Sequence, residues 1–147
     1  MILLIQKGEN NRILREKSAP VEIITADILG LAKDMIETMV KNNGVGLAAA
    51  QIGKNIRMFV ANREFSQKQI FINPEICKMS RKTETIEEGC LSFPGIYKKI
   101  PRAKTIKIKA VDENGKEFKL KAKGMLARII QHEMDHLEGI LICDKNF

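Results

Sequence analysis

Apolar residues at Ile28, Leu31, Ala32, Met35, Ile36, Met39 and Val40 recur at intervals of three and four, which gathers them on one side of an α-helix. Thr25 stands where an N-cap belongs, Asp27 lies in the first turn, and Lys41-Asn42-Asn43-Gly44 supplies a stop. The pattern predicts an amphipathic helix from Thr25 to Asn43. A second apolar stripe, Leu126, Ile130, Met134 and Leu137, runs between Gly124, which opens a helix, and Gly139, placed as its left-handed cap. Between the two helices the period changes to that of strands. Ile56 to Ala61 and Gln69 to Asn73 read as short strands, the second stopped by Pro74, and a further strand is expected at Thr85-Ile86. Lys104 to Val111 and Phe118 to Ala122 alternate lysine with apolar side chains around Asp112 to Lys116, a hairpin that leads directly into the second helix. Residues 1–24, around Pro20, read as an extended arm, and Ile140 to Cys143 as a short strand-like tail. The expectation is an α+β fold: antiparallel strands wrapped around the C-terminal helix, with the first helix packed outside, in one domain spanning 1–147.

A chain of 147 residues buries roughly 68–70% of its unfolded surface, so its core needs no disulfide or structural metal. Cys77, Cys90 and Cys143 make no even framework, which points to a reducing compartment and at least one free or metal-bound thiolate. The apolar run Ile2 to Ile5 is too short for a signal-peptide core, and no apolar stretch approaches a membrane span. A soluble, cytoplasmic protein without membrane contact is expected. The net charge of +7 would suit a nucleic acid, a ribosome surface or an anionic substrate. Many lysines fall between Lys98 and Lys123, alternating with apolar residues, and one Tyr and no Trp are available to stack on bases. That favours a solvated strand face with non-specific attraction to RNA over recognition of a specific nucleic acid.

The chemistry is concentrated in the second helix. His132 and His136, the only histidines, are four residues apart and therefore stack on one face, where they can share a metal ion. Glu133 points about 100° away around the axis, better placed as a base than as a ligand. Catalytic metal sites usually take three protein ligands and leave a position open, so a third donor has to come from elsewhere. Two other stretches stand out. In Gly44-Val45-Gly46-Leu47-Ala48-Ala49-Ala50-Gln51, the two glycines permit close approach of backbone to a ligand, and the Gln51 carboxamide is a neutral donor for a developing oxyanion; a helix cap at Gly44 followed by tightly packed alanines is the plainer reading. In Glu88-Gly89-Cys90-Leu91-Ser92, with a Pro94-Gly95 stop following, Cys90 is either a constrained ligand or a buried structural thiol.

Together the three stretches resemble the peptide deformylases, whose motifs G-x-G-L-A-A-x-Q, E-G-C-L-S and H-E-x-D-H stand here at Gly44 to Gln51, Glu88 to Ser92 and His132 to His136, in that order. Leu14-Arg15 and Ile100 to Arg102 extend the similarity over nearly the whole chain. The resemblance implies one divalent ion held by Cys90, His132 and His136, physiologically ferrous iron, with zinc, nickel or cobalt able to take its place; the donor set alone suits several such metals. It implies removal of the formyl group from the formyl-methionine of new polypeptides, with Glu133 as base and then acid, and Gln51 and the Leu91 N–H facing the formyl oxygen. The substrate backbone would lie as an added strand along Val45, Gly46 and Gly89. Its methionine side chain would enter a pocket formed by Val45, Ile86, Met125, Ile129 and the aliphatic part of Glu88.

Arg128 departs from the apolar residue of many relatives, and its head is expected to snorkel outward. Asp135 is expected to pair with Arg102 in support of the ligands, while Tyr97 is given no substrate role. Little chain follows Gly139, so any ribosome association is expected to rest on the basic surface and to weaken with salt. The rival readings are an H-E-x-x-H metallopeptidase and a basic RNA- or ribosome-binding domain with a structural metal. The second wants a fourth ligand, and neither Cys77 nor Cys143 lies in a motif that suggests one.

Overall fold

The computed structural model describes residues 1–145. In chain order its elements are α1 (Arg12–Arg15), α2 (Ala26–Lys41), β1 (Gly46–Ala48), a 3-10 turn (Ala49–Ile52), β2 (Met58–Ala61), β3 (Ile70–Met79), β4 (Thr83–Cys90), β5 (Phe93–Ala103), β6 (Thr105–Val111), β7 (Glu117–Lys123), α3 (Gly124–Leu137) and a last 3-10 turn (Ile142–Asp144). The strands form a five-stranded antiparallel sheet, β1-β2-β3-β6-β7, and a separate two-stranded ribbon, β4-β5.

Strand alternation divides the five-stranded sheet into two faces. Phe59, Phe71, Ile106, Ile108, Ala110 and Ala122 turn to one side and pack with Ala127, Ile130 and Leu137 of α3. Met58, Val60, Ile70 and Ile72 turn to the other and receive Ala32, Met35 and Met39 of α2. Each helix therefore buries its apolar stripe against one face, as the spacing predicts. Thr25 caps α2 by accepting a hydrogen bond from the Ile28 N–H, and Gly139 adopts φ 74 at the end of α3.

Several expectations need correction. Pro74 does not end its strand: β3 continues to Met79, with a register shift between Ile72 and Glu75 that accommodates a residue without an N–H. At that irregularity Asn73 takes φ 49, and its side chain bonds both N–H and C=O of Val21, pinning the arm. Pro94-Gly95 is no stop either. Strand β4 runs far beyond Thr85-Ile86 and returns directly as β5; both stretches lack an alternating apolar pattern because the ribbon is largely exposed. Ile56 and Arg57 precede β2, and Ile56 instead forms a bridge to Ala19. The arm contains the single turn α1, capped by Asn11. The tail is a 3-10 turn rather than a strand because Asp144 folds back onto the Leu141 N–H. At the end of α2 the left-handed residue is Asn43, φ 57, and not Gly44. Gly44 is required for space, since a Cβ there would stand 2.8 Å from Leu91 Cδ1.

Candidate metal-dependent active site

Strand β4 ends beside the C-terminal half of α3, and this brings Cys90 to the two histidines. Cys90 Sγ lies 3.4 Å from His136 Nε2, and one donor atom from each of Cys90, His132 and His136 falls within 4.8 Å of the others. An ion about 2.0–2.3 Å from one sulfur and two nitrogens in tetrahedral array sets them roughly 3.3–3.7 Å apart, which the Cys90–His136 separation already matches. Among the described residues the group has three protein donors, which is the composition of an open site rather than a closed structural one. Thiolate and imidazole together suit borderline divalent metals. The residues present fit such an ion.

His132 is oriented by a partner that the motif conceals. Its Nδ1 lies 3.0 Å from Glu88 Oε1, which leaves Nε2 free to face the cysteine. Glu88 is itself clamped: Arg102 donates from Nε (2.9 Å) and Nη2 (3.0 Å), and Arg128 donates from Nη1. Arg102 also holds Asp135 at 2.6 Å, the pair the sequence suggests. Burial opposes ionisation of Glu88, but His132 and Arg102 outweigh it and hold the carboxyl far below its ordinary range.

The head of Arg128 does not snorkel outward. It is buried, and besides Glu88 it donates to the Ile100 carbonyl at 2.8 Å and the Glu84 carbonyl at 2.5 Å. Three acceptors at the root of the ribbon satisfy the guanidinium inside, so it has no need of water.

Glu133 is fully enclosed, and its Oε1 has no hydrogen-bond partner among the described residues. Burial raises its carboxyl to about 7 although His132 pulls the other way. Burial likewise pulls His136 down, keeping it a neutral donor; at His132 burial is outweighed by the negative charge of Glu133, Cys90 and Glu88.

Gln51 sits in the 3-10 turn after β1. Its Oε1 accepts from the Ala48 N–H at 2.9 Å, which fixes the amide and directs Nε2 to Ser92 Oγ (3.1 Å) and towards Cys90 Sγ (3.5 Å). Ser92 is buried and was not singled out by its motif position. It is legible only once Gln51 is seen to need an acceptor.

These groups open into a cleft of about 660 Å³. Val45, Gly46, Glu88, Gly89, Met125 and Ile129 line it, together with Gln51, Leu91 and Glu133. Ile86 does not join them; it lies two residues further along β4, opposite Ile100. Sequence reasoning missed Ile5 and Lys7, which line the cleft from an arm without periodicity, and Tyr97. Tyr97 pairs with Gly89 across the ribbon, and its Cε1 lies 2.7 Å from where a Cβ of Gly89 would be. A glycine within a strand, facing an aromatic, was the available signal.

Comparison with known proteins agrees with this geometry. The family model described as polypeptide deformylase matches residues 2–146. The chain is 53% identical over 136 residues to peptide deformylase 1 of Clostridium perfringens, covering 92% of each. To peptide deformylase of Dictyoglomus turgidum it is 49% identical over 145 residues, covering 99% of this chain and 93% of that one. The crystal structure of peptide deformylase from Thermotoga maritima superposes with a TM-score of 0.94 at 38% identity, covering 100% of this chain and 99% of that one. The Ehrlichia chaffeensis enzyme, solved in complex with actinonin, gives 0.92 at 37%, covering 99% and 89%. No helix is long and apolar enough to cross a membrane.

Proposed function

We propose a division of labour among the residues of this chain, which belongs to the polypeptide deformylase family and removes the N-formyl group from newly made polypeptides. Cys90, His132 and His136 hold one divalent ion, ferrous iron in the cell, in a site that zinc, nickel or cobalt also fits. When bound, the ion supplies Lewis acidity that makes a water nucleophilic near neutral pH. Glu133 takes the proton from that water and returns it to the departing amine, so one carboxylate serves both steps. The products are formate and a free amine. Gln51 Nε2 and the Leu91 N–H meet the negative charge that develops on the formyl oxygen, where one donor is worth about 10²–10³ in rate. Val45, Gly46 and Gly89 offer main chain to an extended substrate, which tolerates any following side chain. Val45, Met125, Ile129 and the stem of Glu88 receive the methionine.

The observation that carries this reading is the meeting of one thiol and two imidazoles beside a buried carboxylate whose Oε1 has no partner among the described residues, at the base of a cleft. We place the protein in the cytoplasm, with weak, salt-sensitive association with ribosomes through its basic surface. The test is formate release from formyl-Met-Ala-Ser by anaerobically purified protein, with metal analysis of the same sample. Activity proportional to iron, lost on chelation and in Cys90→Ser, is expected. Cleavage of an unformylated, blocked peptide at a similar rate would overturn it.

A further inference from the structure

The positive charge of this chain is concentrated on one surface. Residues 76–82, 104–109 and 118–123 carry three Lys or Arg each and no Asp or Glu. Those nine exceed the whole net charge of +7, so the remainder of the chain is net acidic. The sheet brings the three segments side by side as β3, β6 and β7. Within the ladder lysines stand directly opposite one another: Lys107 faces Lys121 on one side and Lys78 on the other, and Lys109 faces Lys119. Paired strands lie about 4.8 Å apart, and like charges in register destabilise a sheet. Lys109 is relieved by Glu75 at 3.6 Å and Glu117 at 3.7 Å. Lys78, Lys107, Lys119, Lys121 and Lys123 have no carboxylate partner among the described residues. Helix α2 covers this side of the sheet at β1, β2 and the first residues of β3, which leaves the lysine rows bare.

We propose that this face docks on the phosphate backbone of structured RNA. The inference rests on the reading that the chain acts on polypeptides as they are made, and it identifies the surface that holds the enzyme near their source. Along β6 and β7 the outward side chains from Thr105 to Lys109 and from Lys119 to Lys123 are Thr105 and lysines. No apolar side chain stands among them to enter a bilayer or to form the dry centre of a protein interface. No aromatic stands there to stack on bases, so binding is independent of sequence. Each lysine that neutralises a phosphate contributes about one unit to the slope of log affinity against log salt.

The experiment titrates the full chain against a short labelled RNA duplex at several salt concentrations. The triple variant Lys107→Ala/Lys119→Ala/Lys121→Ala is compared with Lys33→Ala/Lys41→Ala/Lys54→Ala, which loses the same charge elsewhere. The face variant is expected to bind about tenfold or more weakly at moderate salt, with a slope smaller by about three, while the control keeps both near wild type. Equal losses in the two variants, or equally tight binding of the wild type to phosphatidylserine vesicles, would overturn the proposal. Formate release from a short formyl peptide is measured on the same samples and stays unchanged in both. Its absence from every sample would instead count against the catalytic reading and leave the docking result standing.

Discussion

A Cβ added to Gly46 would stand 2.7 Å from Oε2 of Glu133 and 2.9 Å from Cγ2 of Ile129. The first strand of the sheet therefore approaches α3 closely enough to fix the carboxylate, and only a residue without a side chain allows it. Gly46→Ala is expected to displace Glu133 and reduce kcat by about 10²-fold, the usual consequence of a shift near 1 Å at a reacting group. Metal content should stay at wild-type level, because Cys90, His132 and His136 are not touched. Paired kinetic and metal measurements decide it.

Glu88 connects β4, β5 and α3 through Arg102, Arg128 and His132. Glu88→Ala leaves two guanidinium groups buried without their shared carboxylate. Loss of one partner of a buried pair costs about 3–5 kcal/mol, which urea unfolding of the metal-free variant should show. Metal affinity should fall about 10–100-fold as His132 loses its orienting bond.

Much of this was readable beforehand. The two helices and the β6–β7 hairpin follow from spacing, the meeting of Cys90 with His132 and His136 from the family resemblance, and the Arg102–Asp135 pair from the place of Asp135 beside the histidines. What escaped depends on partners remote in sequence. The β4–β5 ribbon is stabilised by pairing rather than by an apolar face, so its strands lack the alternation that reveals β6. Arg128 was misread because the acceptors that draw it inward, the carbonyls of Glu84 and Ile100, belong to that same ribbon. Ser92 meets Gln51, and Lys7 reaches the cleft, only through the fold of neighbouring loops.

The amide of Gln51 is held from both ends. Ser92→Ala removes one end and leaves the Ala48 bond in place. A fall in kcat within about tenfold is expected, equivalent to 1.4 kcal/mol or less. Gln51→Ala, which removes the donor itself, should cost about 10²–10³. A steady-state comparison of the two, with KM little changed, separates positioning from direct contact.

Asp112 closes the β6–β7 turn: it accepts from the N–H groups of Asn114 (2.9 Å) and Lys116 (3.0 Å), and from Lys68 Nζ (3.0 Å). The Lys68 bond foremost, with the turn amides, lowers its carboxyl below the ordinary 3.8. A carboxyl lowered by folding contributes stability that is fully present above 3.8 and lost as pH falls through the folded value. Asp112→Asn should therefore be less stable than wild type at neutral pH, with a gap that narrows below about pH 4. Denaturation midpoints at pH 7 and pH 3 are the measurement.

Gly139 is constrained twice, by φ 74 and by the Arg15 carbonyl, which occupies the space of a Cβ. Gly139→Ala should destabilise the protein by more than about 1 kcal/mol. Thermal melts of the two proteins report it directly.

The inward guanidinium of Arg128 has a consequence for redesign. Trimming a wall residue is the ordinary route to broader side-chain preference, and Met125, Ile129 and Arg128 all border the cleft. Shortening Met125 or Ile129 removes only hydrocarbon. Shortening Arg128 also strips a cation from Glu88 and a donor from two main-chain oxygens, so an engineer seeking a roomier enzyme should begin with the apolar pair and leave the arginine in place.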